Sequence, residues 1–237
     1  MTRTSTKLFH KYYKEWIELY KQGAVKYATY IKYKIAHKHL KAICPNLHMN
    51  QLDRKQYQLI LNKFAETHEK ESVADFHHHI KPCLTDAYED KIIKLDPTRK
   101  AIIKGIEKKK KKKKYLSKSE LESLLKVLNL GDTLNWDWFI YLISKTGLRF
   151  AEALALTPND FDYERKMINI NKSWNYKFKE YGFQSTKNKS SNRKIIIDDT
   201  TLAQFKELTK EKDPEQPIFV TQGQKIFNST IINPTIC

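Results

Sequence analysis

The 237-residue sequence predicts a mainly helical protein with a small β element, divided into two parts by a run of seven lysines. Apolar residues recur at spacings of three and four through the first hundred residues, which is the period of amphipathic helices. Beyond the lysines, short segments have an apolar period of two, which is typical of strands. Hydrophobic content of 40% and aromatic content of 12% are those of a folded protein.

The first part, residues 1–106, is predicted to be a small bundle of four helices. The second of them runs from about Val25 to Ile43, and Asp53 is a suitable N-cap for the third. The fourth, from about Ser72 to Asp90, contains Pro82. Because proline lacks the N–H that a helix interior needs, we expect a kink or a break there.

Residues 107–115 are predicted to form a linker, since like charges at the density of Lys108–Lys114 repel one another. Residues 1–114 carry a net charge of +15, whereas residues 115–237 carry only +2. This asymmetry indicates that the first part binds a polyanion. The alternative for the first part is a lysine-rich soluble protein without such a partner. The alternative for the lysine run is a solvated hinge without a ligand.

The second part, residues 116–237, begins with a predicted helix that Ser117 and Glu120 cap reciprocally. A second helix starts near Trp136 and ends at Gly147, and a short third one precedes Pro158. The first of these helices is expected to bury a stripe of four leucines, namely Leu121, Leu124, Leu125 and Leu128.

Strands are predicted at Met167–Asn171, Gly182–Lys187 and Arg193–Ile197, and a helix at Thr200–Lys210. The segment Asn188–Asn192 is rich in turn-forming residues. We therefore expect the last two strands to pair with each other as a β-hairpin.

Several classes of protein are disfavoured. Cys44, Cys83 and Cys237 are widely spaced and odd in number, which indicates neither a disulfide framework nor a zinc site. No apolar run is long enough to span a bilayer, and the N-terminus lacks the apolar region of a secretory signal, so a cytoplasmic protein is expected. Adjacent histidines at His77–His79 point about 100° apart on a helix and are not expected to share a metal ion.

Arg149 is the most informative candidate, because it follows a helix-ending glycine and is flanked by apolar residues. We expect it to be half-buried and to suit bidentate capture of a phosphate or carboxylate, with Glu152 orienting it. An internal structural Arg–Glu pair is the alternative. The lysines of the predicted hairpin suit a phosphodiester backbone, although a surface hairpin without a ligand is the alternative there.

Two stretches, TGLRFAEALALTPNDFD and TKNKSSNRKI, together resemble the arginine box and the β-hairpin of tyrosine recombinases, above all integrases of Gram-positive phages and mobile elements. The stretch LFHKYYKEWIELYK is similar to the start of their SAM-like core-binding domain. The resemblance implies such a helical domain, followed by the N-terminal half of an α+β catalytic domain. It also implies that Arg149 is the first catalytic arginine and Lys187 the general acid.

Double-stranded DNA is the partner that the resemblance implies, with no membrane, metal or cofactor. Intact members assemble as tetramers on DNA, and this chain is expected to be monomeric off DNA. The residues expected to contact DNA are Lys108, Lys109, Lys110, Lys111, Lys112, Lys113, Lys114, Lys189 and Arg193.

The family also needs a His-x-x-Arg box and a nucleophilic tyrosine after the hairpin. No arginine, histidine, tryptophan or tyrosine follows Arg193 in this sequence. We therefore expect a C-terminally truncated recombinase that is inactive alone. The alternatives are a DNA-binding protein that occupies recombination sites without catalysis, and a non-functional remnant.

Overall fold

The protein consists of two compact units, Met1–Lys112 and Lys113–Cys237, each with a hydrophobic core of its own. A computed structural model describes residues 6–107, 113, 115–176, 182–186 and 188–220. The first unit is helical, and the second combines helices with short antiparallel strands.

The predicted helices of the first unit are present, with ends that differ by a few residues from those expected. Asp53 is the N-cap of the third one, where its Oδ1 accepts a hydrogen bond of 2.7 Å from the N–H of Gln56. This bond satisfies one of the N–H groups that a helix start leaves without a partner. The helices are α1 (Phe9–Tyr20), α2 (Tyr27–Ile43), α3 (Arg54–Ala65) and α4 (Lys70–Glu89).

Aromatic side chains anchor α1 to α4. Phe9, Tyr13 and Trp16 are buried. The indole N–H of Trp16 donates a 2.7 Å hydrogen bond to Oδ2 of Asp86, and the Tyr13 hydroxyl donates one of 2.9 Å to the carbonyl oxygen of His79. Burial raises the pKa of Tyr13, so its hydroxyl stays a neutral donor. The polar atoms of the Tyr13 and Trp16 side chains are thus satisfied within the bundle.

Pro82 lies inside α4, and the helix continues through it, so the predicted break does not occur. Ile80, Cys83 and Leu84 on either side of it are fully buried in the core. Burying one large apolar side chain contributes about 1.5–3 kcal/mol. Several such side chains outweigh the cost of about 3 kcal/mol for a proline in a helix interior.

In the second unit, the predicted capping box is confirmed. Ser117 Oγ accepts from the N–H of Glu120 at 3.3 Å, and Glu120 Oε2 accepts from the N–H of Ser117 at 2.6 Å. The predicted buried leucine stripe is wrong, because this helix contains no buried residue and its leucines are half-buried. Periodicity identifies the apolar face of a helix, but not how completely its neighbours cover that face. The helices are α5 (Lys118–Val127), α6 (Trp136–Thr146), α7 (Phe150–Leu154) and α8 (Asp199–Thr209).

Gly147 ends α6 in a left-handed conformation with φ of 64°, as predicted for this glycine. Its N–H donates to the carbonyl oxygen of Ile143 at 2.8 Å, which closes the last turn. The chain then reverses direction, buries Leu148 and places Arg149 at the N-cap of α7.

The strands form two small antiparallel sheets. One has the order β1-β2-β5 and the other pairs β3 with β4. Their bounds are β1 (Phe161–Asp162), β2 (Met167–Ile170), β3 (Lys172–Asn175), β4 (Gly182–Ser185) and β5 (Arg193–Ile196).

The expected hairpin between β4 and β5 is wrong, because each of these strands pairs with a different partner. Phe183 of β4 lies opposite Trp174 of β3, and Arg193 of β5 lies opposite Ile170 of β2. Only Asn171 separates β2 from β3, so these two strands are consecutive parts of one extended segment. Strand β5 pairs with the first part of that segment and β4 with the second. The connection from β4 to β5 is therefore not the turn of a hairpin between these two strands.

Helix α7 packs against β3, and Trp174 of β3 is fully buried in the core of this unit. The prediction of a mainly helical protein with a small β element is confirmed. Within the described ranges, no helix combines the length and the apolar character needed to cross a membrane.

Candidate nucleic-acid interface

The side chain of Arg149 projects into solvent, with 70% of its surface exposed. The expectation of a half-buried arginine is therefore wrong. Its neighbours provide the apolar contacts instead, since Leu148 is buried and Phe150 lies edge-on to Phe139. An N-cap residue is positioned by the turn before it and needs no burial of its own.

Glu152 holds Arg149 as predicted, and it is the buried member of the pair, with 5% of its side chain exposed. Its Oε1 accepts a 2.8 Å hydrogen bond from Nη1 of Arg149, and its Oε2 accepts one of 3.0 Å from the Arg149 backbone N–H. The carboxylate thus fixes the main chain and the guanidinium of one residue together.

A second arginine reaches the same carboxylate from β5. Nη2 of Arg193 lies 2.8 Å from Oε2 of Glu152, and Nη1 lies 3.2 Å from Oε1, which is the bidentate geometry that a guanidinium favours. Arg193 is 32% exposed. This contact could not be predicted from the sequence, because it depends on the pairing of β5 with β2.

The cluster Arg149–Glu152–Arg193 has a clear electrostatic state. Burial alone would raise the pKa of Glu152, but hydrogen bonds from Arg193 and Arg149 outweigh it and lower the pKa to about 2. Its hydrogen bond to Glu152 raises the pKa of Arg193. At neutral pH the cluster therefore consists of two cations and one anion, and Glu152 is deprotonated.

Arg149 retains hydrogen-bonding capacity in this arrangement. A guanidinium has five N–H donors, and the side-chain hydrogen bond recorded for Arg149 within the described part of the chain is the one from Nη1 to Glu152. With 70% of its side chain exposed, Arg149 is an accessible cation that Glu152 holds in place. Such a group suits an anion with several acceptor oxygens, of which a phosphodiester is one.

A second ion pair of this unit, between Lys172 and Asp160, was not predicted from the sequence. Nζ of Lys172 donates to Oδ1 and Oδ2 of the buried Asp160 at 2.6 and 2.5 Å, and Asp160 Oδ2 accepts 2.8 and 3.0 Å bonds from the N–H and hydroxyl of Thr157. The alternation of Ile168, Ile170 and Trp174 would have placed Lys172 on the buried face.

The structure does not describe most of the other predicted site residues. Lys108–Lys112, Lys114 and Lys187 lie outside the described residues, as does the side chain of Lys189. Lys113 is described, and its Nζ lies 2.9 Å from Oε2 of Glu120. The expectation that these lysines contact DNA stays a prediction.

The three consecutive histidines take part in helix packing. Nδ1 of His77 and the hydroxyl of Tyr57 share a hydrogen bond of 2.9 Å, and the ring of His79 meets Tyr33 edge-on at 4.9 Å. Burial, His78 and Lys81 lower the pKa of His77. In the described ranges no group of three histidine, cysteine or acidic residues is arranged to hold a metal ion.

No family model and no curated protein sequence matches the chain. Solved structures do match it. The Tn1549 transposon integrase in complex with a circular intermediate DNA is 19% identical, with a TM-score of 0.71 over 92% of this chain and 69% of that one. The lambda integrase tetramer bound to a Holliday junction is 13% identical, with a TM-score of 0.64 over 95% of this chain and 63% of that one.

The chain has the fold of a tyrosine recombinase. It spans about two thirds of the length of these two integrases. The N-terminal domain of the prophage pi2 integrase from Lactococcus lactis is 36% identical over 42% of this chain and 95% of its own length, with a TM-score of 0.41.

Proposed function

We propose that the chain binds duplex DNA in the manner of a site-specific tyrosine recombinase. The observation that carries this proposal is the exposed guanidinium of Arg149, tethered to Glu152 with donors to spare. The fold supports it, because the integrases of the same fold were solved on DNA. The net charge of +15 on residues 1–114 supports it as well.

In this proposal the two units divide the work. The helical unit is the core-binding domain, corresponding to residues 1–106, and contributes affinity through phosphate contacts. Residues 107–115 link it to a partial catalytic domain at 116–237, and the linker lysines and Lys189 add phosphate contacts through their charge. Arg149 binds the phosphodiester at the position where strand exchange takes place in the intact enzymes.

Chemistry would require more than this sequence contains. Arg149 can stabilise charge on a phosphate, and Lys187 can donate a proton to a leaving 5′ oxygen. Neither group can form the covalent phosphotyrosyl intermediate. The tyrosine nucleophile and the second arginine are not among the residues after Arg193, so we propose that these 237 residues bind the site and supply Arg149 and Lys187 without forming the covalent intermediate by themselves.

The state of assembly belongs to the same proposal. The lambda integrase was solved as a tetramer on a Holliday junction. We expect this chain to be monomeric when free and to gather as several copies on DNA that contains paired sites. We place it in the cytoplasm, where it meets its target DNA.

The experiment is a titration of a fluorescein-labelled 30-base-pair duplex with the chain, read by anisotropy. Arg149→Gln should weaken binding roughly ten-fold, as expected for loss of a hydrogen bond to a charged group worth about 1.5 kcal/mol. The matched control is Arg165→Gln, since Arg165 is exposed in the same unit and pairs with Asp162. Equal loss in both variants would mean that Arg149 contributes charge only and does not mark a site.

A further inference from the structure

We propose that Arg193 is a positioning residue, which holds Arg149 in place through Glu152 and does not itself contact DNA. The proposal rests on the proposed function, because it concerns how the Arg149 site is built. It assigns to Arg193 a role different from the DNA contact that its place in the sequence predicts.

The hydrogen bonds of Glu152 are the first step of the argument. Each oxygen of this carboxylate accepts two of them, one from Arg149 and one from Arg193. Arg149 binds through its backbone and one guanidinium nitrogen, whereas Arg193 binds through both terminal nitrogens. The better-anchored partner is therefore Arg193, and the partner with donors left for a ligand is Arg149.

The second step is the support of Glu152 itself. Helix α7, Phe150–Leu154, has only five residues and is too short to be rigid by its own hydrogen bonds. Arg193 is in β5, opposite Ile170 of β2. The ion pair thus connects a short helix to a sheet, and the position of the Glu152 carboxylate is set by the sheet.

The third step concerns the described residues that precede β5. Nη1 of Arg193 also donates to the carbonyl oxygen of Ser191 at 3.3 Å. The hydroxyl of Thr186 donates a 2.8 Å hydrogen bond to Oδ1 of Asn192, next to Arg193 in the sequence. Arg193 therefore contacts both Glu152 and the backbone just before β5, so one side chain joins these two parts of the chain.

Arginine is required for such a role. Its planar fork engages both oxygens of a carboxylate, whereas lysine is a single point charge with rotatable donors. The side chain of Glu152 is only 5% exposed. Removal of Arg193 would leave this buried carboxylate with one arginine partner, the solvent-exposed Arg149. Arg149 would then be held less firmly and exchange between orientations.

Side-chain NMR of the free chain tests the contact without DNA. The sequence has six arginines, so their Nε–Hε resonances can be assigned by substitution. Arg193→Gln should shift the Arg149 resonance and speed exchange of its guanidinium protons with water several-fold. Arg193→Lys, which keeps the charge and should fold, gives a smaller shift in the same direction, and the control Arg165→Gln gives none. An unchanged Arg149 resonance in folded Arg193→Gln and Arg193→Lys proteins would overturn the proposal.

A double-mutant cycle on duplex DNA affinity tests the action through Arg149. Arg193→Gln should weaken binding several-fold when Arg149 is present and have little effect in the Arg149→Gln background. Equal effects in the two backgrounds would mean that Arg193 contacts DNA directly, which overturns the positioning role. If the unaltered chain bound no duplex DNA, the proposed function would fail, and the NMR comparison would still decide whether Arg193 positions Arg149.

Discussion

The carboxylate of Glu152 lies 2.8 Å from Nη2 of Arg193, although 41 residues separate them in the sequence. This contact makes the arginine box and the strand after residues 186–192 one structure. It also explains why Arg149 can be exposed and still have a defined orientation, since its partner is fixed from a second side.

Glu152→Gln should destabilise the second unit by about 3 kcal/mol at pH 7, because two arginines lose a buried anionic partner. The measurement is the free energy of unfolding from denaturant titration, followed by tryptophan fluorescence. The control is Glu164→Gln, an exposed carboxyl in the same unit, for which a change below about 0.5 kcal/mol is expected. A similar loss in both variants would show that Glu152 contributes only surface charge.

The contribution of Glu152 should also depend on pH. Its pKa in the folded chain is lowered from 4.5 to about 2, so the unfolded chain takes up its proton first as the pH falls. The stabilisation is therefore full above about pH 5 and is lost progressively between about pH 4.5 and pH 2. The difference in unfolding free energy between the wild-type chain and Glu152→Gln should shrink from pH 6 to pH 3. A constant difference would contradict the assigned pKa.

Gly105→Ala should destabilise the first unit by about 1–3 kcal/mol, as overpacking does. A Cβ at this position would overlap the backbone N and Cα of Lys70 at the start of α4, where Ile106 pairs with Glu69. Gly131→Ala is the matched control, because a Cβ there meets nothing within 4 Å. Thermal unfolding of the two variants measures the difference, and equal melting temperatures would argue against this close approach.

The 237-residue chain should form no covalent adduct with a suicide DNA substrate, because the sequence has no tyrosine after the arginine box and β4. Tyr181→Phe should behave like the unaltered chain in denaturing gels of the reaction. An adduct that Tyr181→Phe abolishes would instead identify a rearranged active site with Tyr181 as its nucleophile.

Local features were predictable from the sequence where the controlling chemistry is local. The capping box at Ser117 and Glu120, the N-cap at Asp53 and the left-handed Gly147 each depend on residues within one turn, and each is confirmed. The arginine box led to Arg149 and to its pairing with Glu152 for the same reason.

Features that depend on tertiary packing were not predictable. The expected β4–β5 hairpin failed because pairing with β2 and β3 is decided by distant residues. The Arg193–Glu152 contact follows from that pairing and was missed with it. Pro82 illustrates the same limit, since burial of its neighbours, rather than local propensity, keeps α4 continuous.

The most direct test of the account is the salt dependence of duplex DNA binding by the whole chain. Each phosphate neutralised contributes a slope of about −0.9 to a plot of log affinity against log salt concentration. About four contacts would lower the affinity roughly 100-fold between 50 and 200 mM salt, and this is the result that we predict. Binding that is absent at 50 mM salt, or that does not change over this range, would contradict the proposal that this fold and its lysine-rich first unit serve to hold DNA.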